Sequence, residues 1–196
     1  MAELKPKITL KQKGDKAAIA VKNLHATLTW TAAVDLDFHA YYKTKMTGPP
    51  EEKKGFFGKL FSGPQFKPGG EGLVYFADRG NKTAFPWIYL DQDAGVGDVG
   101  GKNVENLYFT DLQYIDHILI VANIFNKPNA NFASYDGVVT VNTGDQAIDV
   151  PLTATTGGSY CIIAHIDNSA PTGPVLINVN KVQGAQPTIG SFLSGD

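Results

Sequence analysis

Residues His25-Ala26-Thr27-Leu28-Thr29-Trp30-Thr31 alternate apolar with polar side chains, and this period of two most narrows what the chain can become. Side chains two apart on a strand share a face, so Ala26, Leu28 and Trp30 make one apolar side. Similar short runs recur at Ile8 to Leu10, Ala17 to Val21, Leu73 to Phe76 and Trp87 to Leu90. They return at Val138 to Val141, Ala147 to Val150, Tyr160 to Ile166 and Val175 to Val182, each bracketed by Gly, Pro, Asn or Asp. The run from His117 to Phe125 is apolar on both faces and belongs in the middle of a sheet. No segment carries a persuasive helical period. Roughly ten short strands with frequent turns predict an all-β fold, a two-sheet β-sandwich with one long inserted loop.

The 196 residues suffice for one domain with a proper core, and 43% apolar against 18% charged residues is a globular balance. The expected domain spans residues 1–182, interrupted by the insertion at 47–70, and a loosely ordered tail follows at 183–196. A net charge of −2 gives no electrostatic footing for nucleic acid. Cys161 is the single cysteine, set in the apolar run Tyr160-Cys161-Ile162-Ile163-Ala164, and reads as a buried thiol rather than a nucleophile. Residues 1–7 pass directly into charge and a proline, without the apolar stretch of a secretory leader. No apolar run approaches the ~20 residues of a membrane-spanning helix. The expected compartment is the cytoplasm.

Residues 90–105 crowd Asp91, Asp93, Asp98, Asn103 and Glu105 among Gly95, Gly97, Gly100 and Gly101. Carboxylates so placed repel unless something positive sits among them. An oxygen-only donor set on a pliable backbone suits a hard cation, calcium more readily than octahedral magnesium. The loop is not an EF-hand: twelve residues counted from Asp91 end on Lys102, and from Asp93 on Val104. Further ligands must come from elsewhere. In residues 34–42, Asp35, Asp37 and His39 fall on one face of an alternating strand, roughly 7 Å between neighbours. The plainer reading of that face is a solvated one.

The insertion is long for a connection between strands. Within it Phe56, Phe57, Leu60 and Phe61 fall on one side of a short amphipathic stretch beside Lys53, Lys54 and Lys59. Three readings stand: a cap over an open sheet edge, a protein-contact surface, or a peripheral contact with an anionic membrane.

Several motifs, in this order, resemble the TerD-like tellurite-resistance and stress-protein family, with the closest likeness to its TerA-type branch. They are Val34-Asp35-Leu36-Asp37, the step Gly95-Val96-Gly97-Asp98, and Gly101-Lys102-Asn103-Val104-Glu105-Asn106-Leu107. Ile115 to Ala122, Asn131-Phe132, Ile166-Asp167-Asn168 and Ile177-Asn178-Val179-Asn180 continue the series. The resemblance implies a β-sandwich that binds calcium through acidic residues and has no known catalytic chemistry. It also implies a bacterial, cytoplasmic protein tied to tellurite, chemical stress or phage resistance, acting in assemblies whose partners include membrane-associated proteins. Carried over by motif, Asp35, Asp37, Asp91, Asp98 and Glu105 become the expected calcium ligands, with Asp93 and Asn103 as lesser ones. Lys102 and Val104 depart from the family's acidic run, and the Lys102 ammonium is itself able to neutralise a carboxylate.

The expected function is therefore a non-enzymatic, calcium-binding stress-response scaffold with protein partners and self-association. Two alternatives come from other classes. One is a structural subunit assembling through the Phe/Lys insertion. The other is a calcium-assisted, lectin-like module using Trp87, Tyr89, Tyr41 and Tyr42. An enzyme is not expected: His25, His39, His117 and His165 are dispersed, and neither a nucleophile elbow nor a phosphate loop is present.

Overall fold

The computed structural model describes residues 6–20, 24–49, 65–91, 103–124 and 129–195. Twelve strands run in chain order: β1 (Lys7–Thr9), β2 (Lys16–Ala18), β3 (Leu24–Trp30), β4 (Asp37–Thr44), β5 (Glu71–Val74) and β6 (Ile88–Leu90) come first. Then follow β7 (Asn103–Phe109), β8 (Ile115–Asn123), β9 (Val138–Asn142), β10 (Ala147–Pro151), β11 (Tyr160–Asp167) and β12 (Val175–Gln183). They form two six-stranded sheets, β1-β10-β9-β3-β7-β6 and β2-β12-β11-β8-β4-β5. The expected two-sheet sandwich is what the chain adopts. All pairings are antiparallel except β1 with β10.

The strand that pattern reading missed is β7. Its inward positions are Asn103, Glu105, Leu107 and Phe109, all buried, so two polar residues interrupt the apolar half of the alternation. Between the sheets, Leu24, Ala26, Leu28 and Trp30 of β3 meet Phe38, Ala40 and Tyr42 of β4 and Ile118, Ile120 and Ala122 of β8 in one core. The Gly14-Asp15 turn does not make a hairpin. Its flanking strands join opposite sheets, β1 beside β10 and β2 beside β12, so the N-terminus straps the sandwich shut.

The tail is not loose. Residues 189–194 form a short helix, α1 (Ile189–Ser194), capped by the Thr188 hydroxyl, which accepts from the Ser191 N–H, and ended by Gly195 in the left-handed region. The Glu71 carboxylate of β5 accepts from the Ile189 and Gly190 N–H groups at 3.1 and 2.9 Å. Ile189 and Phe192, three apart on one helix face, cover Tyr41, Leu119, Val121, Ile162 and Val179 on the outer side of the second sheet. That second core explains why β8 is apolar on both faces. None of the described helices is long and apolar enough to cross a membrane.

Register fixes two opposite ends. At one, β3 ends on Trp30 opposite the start of β7 at Asn103, and β4 starts at Asp37 opposite the end of β8 at Asn123. At the other, Lys43 of β4 pairs with Glu71 of β5, so the 47–70 insertion leaves from the end remote from Asp37.

Candidate functional site

Residues 34–38 alternate as expected, Val34, Leu36 and Phe38 being buried in the main core and Asp35 and Asp37 half-exposed on the outer side. The indole N–H of Trp30 donates to the Val34 carbonyl at 2.8 Å and pins the loop that carries them. Glu105 points the opposite way. It sits between the sheets, 1% exposed, and its carboxylate accepts from the Phe38 N–H at 2.9 Å. That bond ties β7 to β4 across the sandwich, and a charge-assisted bond of this kind contributes about 1.5–3 kcal/mol. Asn103 is also buried, facing inward opposite Trp30.

Asp91 lies in a third setting. Its two carboxylate oxygens accept from the Asn106 backbone N–H at 3.2 Å and side-chain amide at 2.9 Å. Asn106 in turn accepts from the Thr27 hydroxyl at 2.8 Å, on the face of the first sheet turned away from the core. Thus Glu105 reaches the Phe38 backbone from between the sheets, Asp37 faces outward on the second sheet, and Asp91 is stitched to the outer face of the first. Asp93 and Asp98 lie outside the described residues, as do Lys53, Lys54, Phe56, Phe57, Lys59, Leu60 and Phe61. Among the described residues no group of three His, Cys, Asp or Glu side chains is arranged to hold an ion.

Asp35, Asp37 and His39 do share a feature that the sequence showed only as a polar strand face: a cavity of about 410 Å³ on the outer side of the second sheet. Its floor continues through Tyr41, and its walls come from Tyr75 and Phe76 after β5, Tyr160 of β11, and Gln186 in the strap that leads to α1. The Tyr75 wall is a tight turn in which the Tyr75 N–H donates to the Asp78 carbonyl at 2.9 Å. Gly80 then bridges to Tyr89 with φ of 70°, and a Cβ there would run into the Ile88 carbonyl. His39 is 5% exposed, and neither ring nitrogen has a hydrogen-bond partner among the described residues. Burial lowers its pKa to about 4, so the imidazole is neutral at physiological pH. The Tyr41 hydroxyl is likewise buried and meets no hydrogen-bond partner of good geometry among the described residues. Burial foremost, with the charge of Tyr160, pushes its pKa up, and the nearby Gln186 amide opposes this without reaching hydrogen-bonding geometry.

The remaining histidine cluster has structural partners. His117 Nδ1 and His165 Nε2 are 3.2 Å apart, Asp167 lies 3.5 Å from His117, and the Phe192 ring of α1 packs edge-on against His165. The aromatics considered for a lectin-like site do not converge. Trp87 and Tyr42 belong to a ring cluster with Phe66, Phe85 and Tyr114 at the insertion end. Tyr89 lies beneath Lys82 on the first sheet, and only Tyr41 reaches the cavity. Cys161 is buried and its thiol is pushed up to about 12 by desolvation, as expected of an inert core cysteine.

Fold and sheet order define the class: a two-sheet β-sandwich, antiparallel apart from the β1–β10 pair. The fold matches the crystal structure of a homologue of the telluride resistance protein TerD from Streptomyces coelicolor A3(2), with a TM-score of 0.56. The match covers 86% of this chain and 94% of that one at 14% sequence identity, so the likeness is one of fold. No protein-family model and no curated protein matches the sequence itself.

Proposed function

We propose that this protein is a non-enzymatic, TerD-type stress-response component that binds calcium at the acidic end of its sandwich and works through protein partners in the cytoplasm. The observation behind the reading is the Glu105–Phe38 bond, which ties β7 to β4 one residue from Asp37, at the end of the sandwich where β7 begins. The donor chemistry there is all oxygen, as a hard cation requires. No three acidic side chains converge among the described residues, so the reading also calls on Asp93 and Asp98, which lie outside them. Fold similarity to a TerD homologue supports the same reading at the level of architecture.

Calorimetric titration of calcium into chelator-treated protein tests it, with an Asp35→Asn/Asp98→Asn double variant alongside. Saturable heat that the variant loses, and a calcium-dependent rise in melting temperature, are expected. A wild type without either would sink the calcium assignment and leave Lys102 as the neutralising charge.

A further inference from the structure

We propose that the cavity over the outer face of β4 binds an uncharged aromatic ligand, a small ring that carries a hydrogen-bond donor beside an acceptor, as a carboxamide or a lactam does. The site calls on no calcium ligand, so it is independent of whether the ion binds.

Size admits such a molecule: about 410 Å³ falls within the range of small-molecule pockets, ~300–1,000 Å³. The polar groups at the floor call for one. His39 and Tyr41 stand two apart on β4 with their rings 6.2 Å from each other, and both line the cavity. The two His39 ring nitrogens and the Tyr41 hydroxyl are buried, and none has a hydrogen-bond partner among the described residues. Buried polar atoms left unpaired are costly, and a ligand with complementary atoms relieves that cost. A neutral imidazole presents one donor and one acceptor, the complement of an amide's carbonyl oxygen and N–H. The orphaned atoms are shut off from solvent, so a ligand reaches them by a small turn of the two side chains. That turn gives up no hydrogen bond to the described residues.

The lining selects the class. Among the described residues no Lys or Arg borders the cavity, so an anion finds no counter-charge there. Asp35 and Asp37 do border it, but both already interact with other groups, and neither has a part in selecting the ligand. An ion entering here would lose its hydration with no counter-charge set aside for it. The walls favour a ring. Tyr75 packs edge-on against His39 at 5.8 Å and against Phe76 at 5.1 Å, making a continuous aromatic surface. Phe76 is 52% exposed, an unusual position for a phenylalanine and one that leaves its ring open to a second ring. Leu73 and Tyr160 add apolar surface, and the Gln186 strap, held in place by α1 and Glu71, forms the opposite wall. A sugar also stacks on aromatic rings, but its many hydroxyls outnumber the polar atoms here and would be buried unpaired.

The test is a titration of the full-length protein with benzamide and 2-quinolinone, in the presence of a chelator, followed by amide chemical shifts and calorimetry. The controls are benzoate, benzylamine, toluene and methyl glucoside. Expected is saturable binding of an amide probe, with shifts centred on His39, Tyr41 and Tyr75, and at least tenfold weaker binding in Phe76→Ala and His39→Phe. Phe76 is exposed, so its variant should melt like the wild type and keeps the test valid if His39→Phe fails to fold. Asp98→Asn should leave amide binding intact even where calcium binding is lost, which separates the two sites. Any of the four controls binding as tightly as the amides would overturn the proposal, as would a Phe76→Ala titration superimposed on wild type. So would the lack of any saturable shift up to about 10 mM, an affinity too weak to mark a site.

Discussion

Glu105 shows how much one residue can carry. It occupies an inward position of β7 that the alternation reserves for an apolar side chain, and it is held there by the Phe38 N–H. Glu105→Ala would leave that buried donor unsatisfied and a hole beside it, so a loss of about 2–4 kcal/mol in urea denaturation is expected. Glu105→Gln keeps an acceptor oxygen and should cost markedly less. His165 makes a second prediction at this scale. Its pKa is lowered to about 4, first by burial and then by the charge of His117, with Asp167 pulling the other way. A folded-state pKa below the unfolded one means the unfolded chain binds more protons between these values. Stability is therefore fully present above about pH 6.5 and is lost as pH falls toward 4, by on the order of 1–3 kcal/mol. His39 is shifted in the same direction and adds to the slope. A His165→Gln variant should show a shallower decline in chemical denaturation across that window, and an unchanged slope would refute the assignment.

At the scale of elements, α1 is short but covers the second core. A six-residue helix has little stability of its own, so it persists because Thr188, Gly195 and Glu71 satisfy its ends and because Ile189 is buried, and Phe192 partly buried, against the outer cluster of the second sheet. Thr188→Ala should cost about 1 kcal/mol. Truncation after Pro187 would uncover Leu119, Val121 and Ile162 and should lower the melting temperature by considerably more. It would also raise binding of a hydrophobic dye, which Thr188→Ala would do only weakly. The helix was readable in principle from the Thr188 cap signal, the Ile189 and Phe192 spacing and Gly195. Reading it as a loose tail gave weight to the lost strand alternation and none to the caps. The missed β7 has the opposite cause: its polar inward residues disguised a real strand as loop.

For the molecule as a whole, strand register separates the acidic rim from the insertion, which leaves the sandwich at the far end between β4 and β5. If residues 53–61 act as a partner surface, their removal should leave the other end untouched. Deleting residues 50–64 and joining the flanks with a short Gly/Ser linker should preserve the melting temperature within a few degrees while changing sedimentation behaviour. Loss of calcium binding in that deletion would contradict the separation.

The sequence by itself determined the layers. Period-two alternation in β3, the doubly apolar β8 and the turn residues between runs decide that strands form, which face is buried and that two sheets must pack, because these depend on local geometry and on hydrophobic burial. It also singled out Asp35, Asp37 and Glu105 as chemically unusual. Only the tertiary structure decided how those residues are apportioned. A side-chain list does not say that Glu105 turns inward while Asp35 and Asp37 turn outward, or that Asp91 is engaged by Asn106. Nor does it say that a strap from the C-terminus and a turn after β5 wall in His39. Those outcomes depend on contacts between residues far apart in the chain, and such contacts are set by which strands become neighbours, not by the pattern within any one of them.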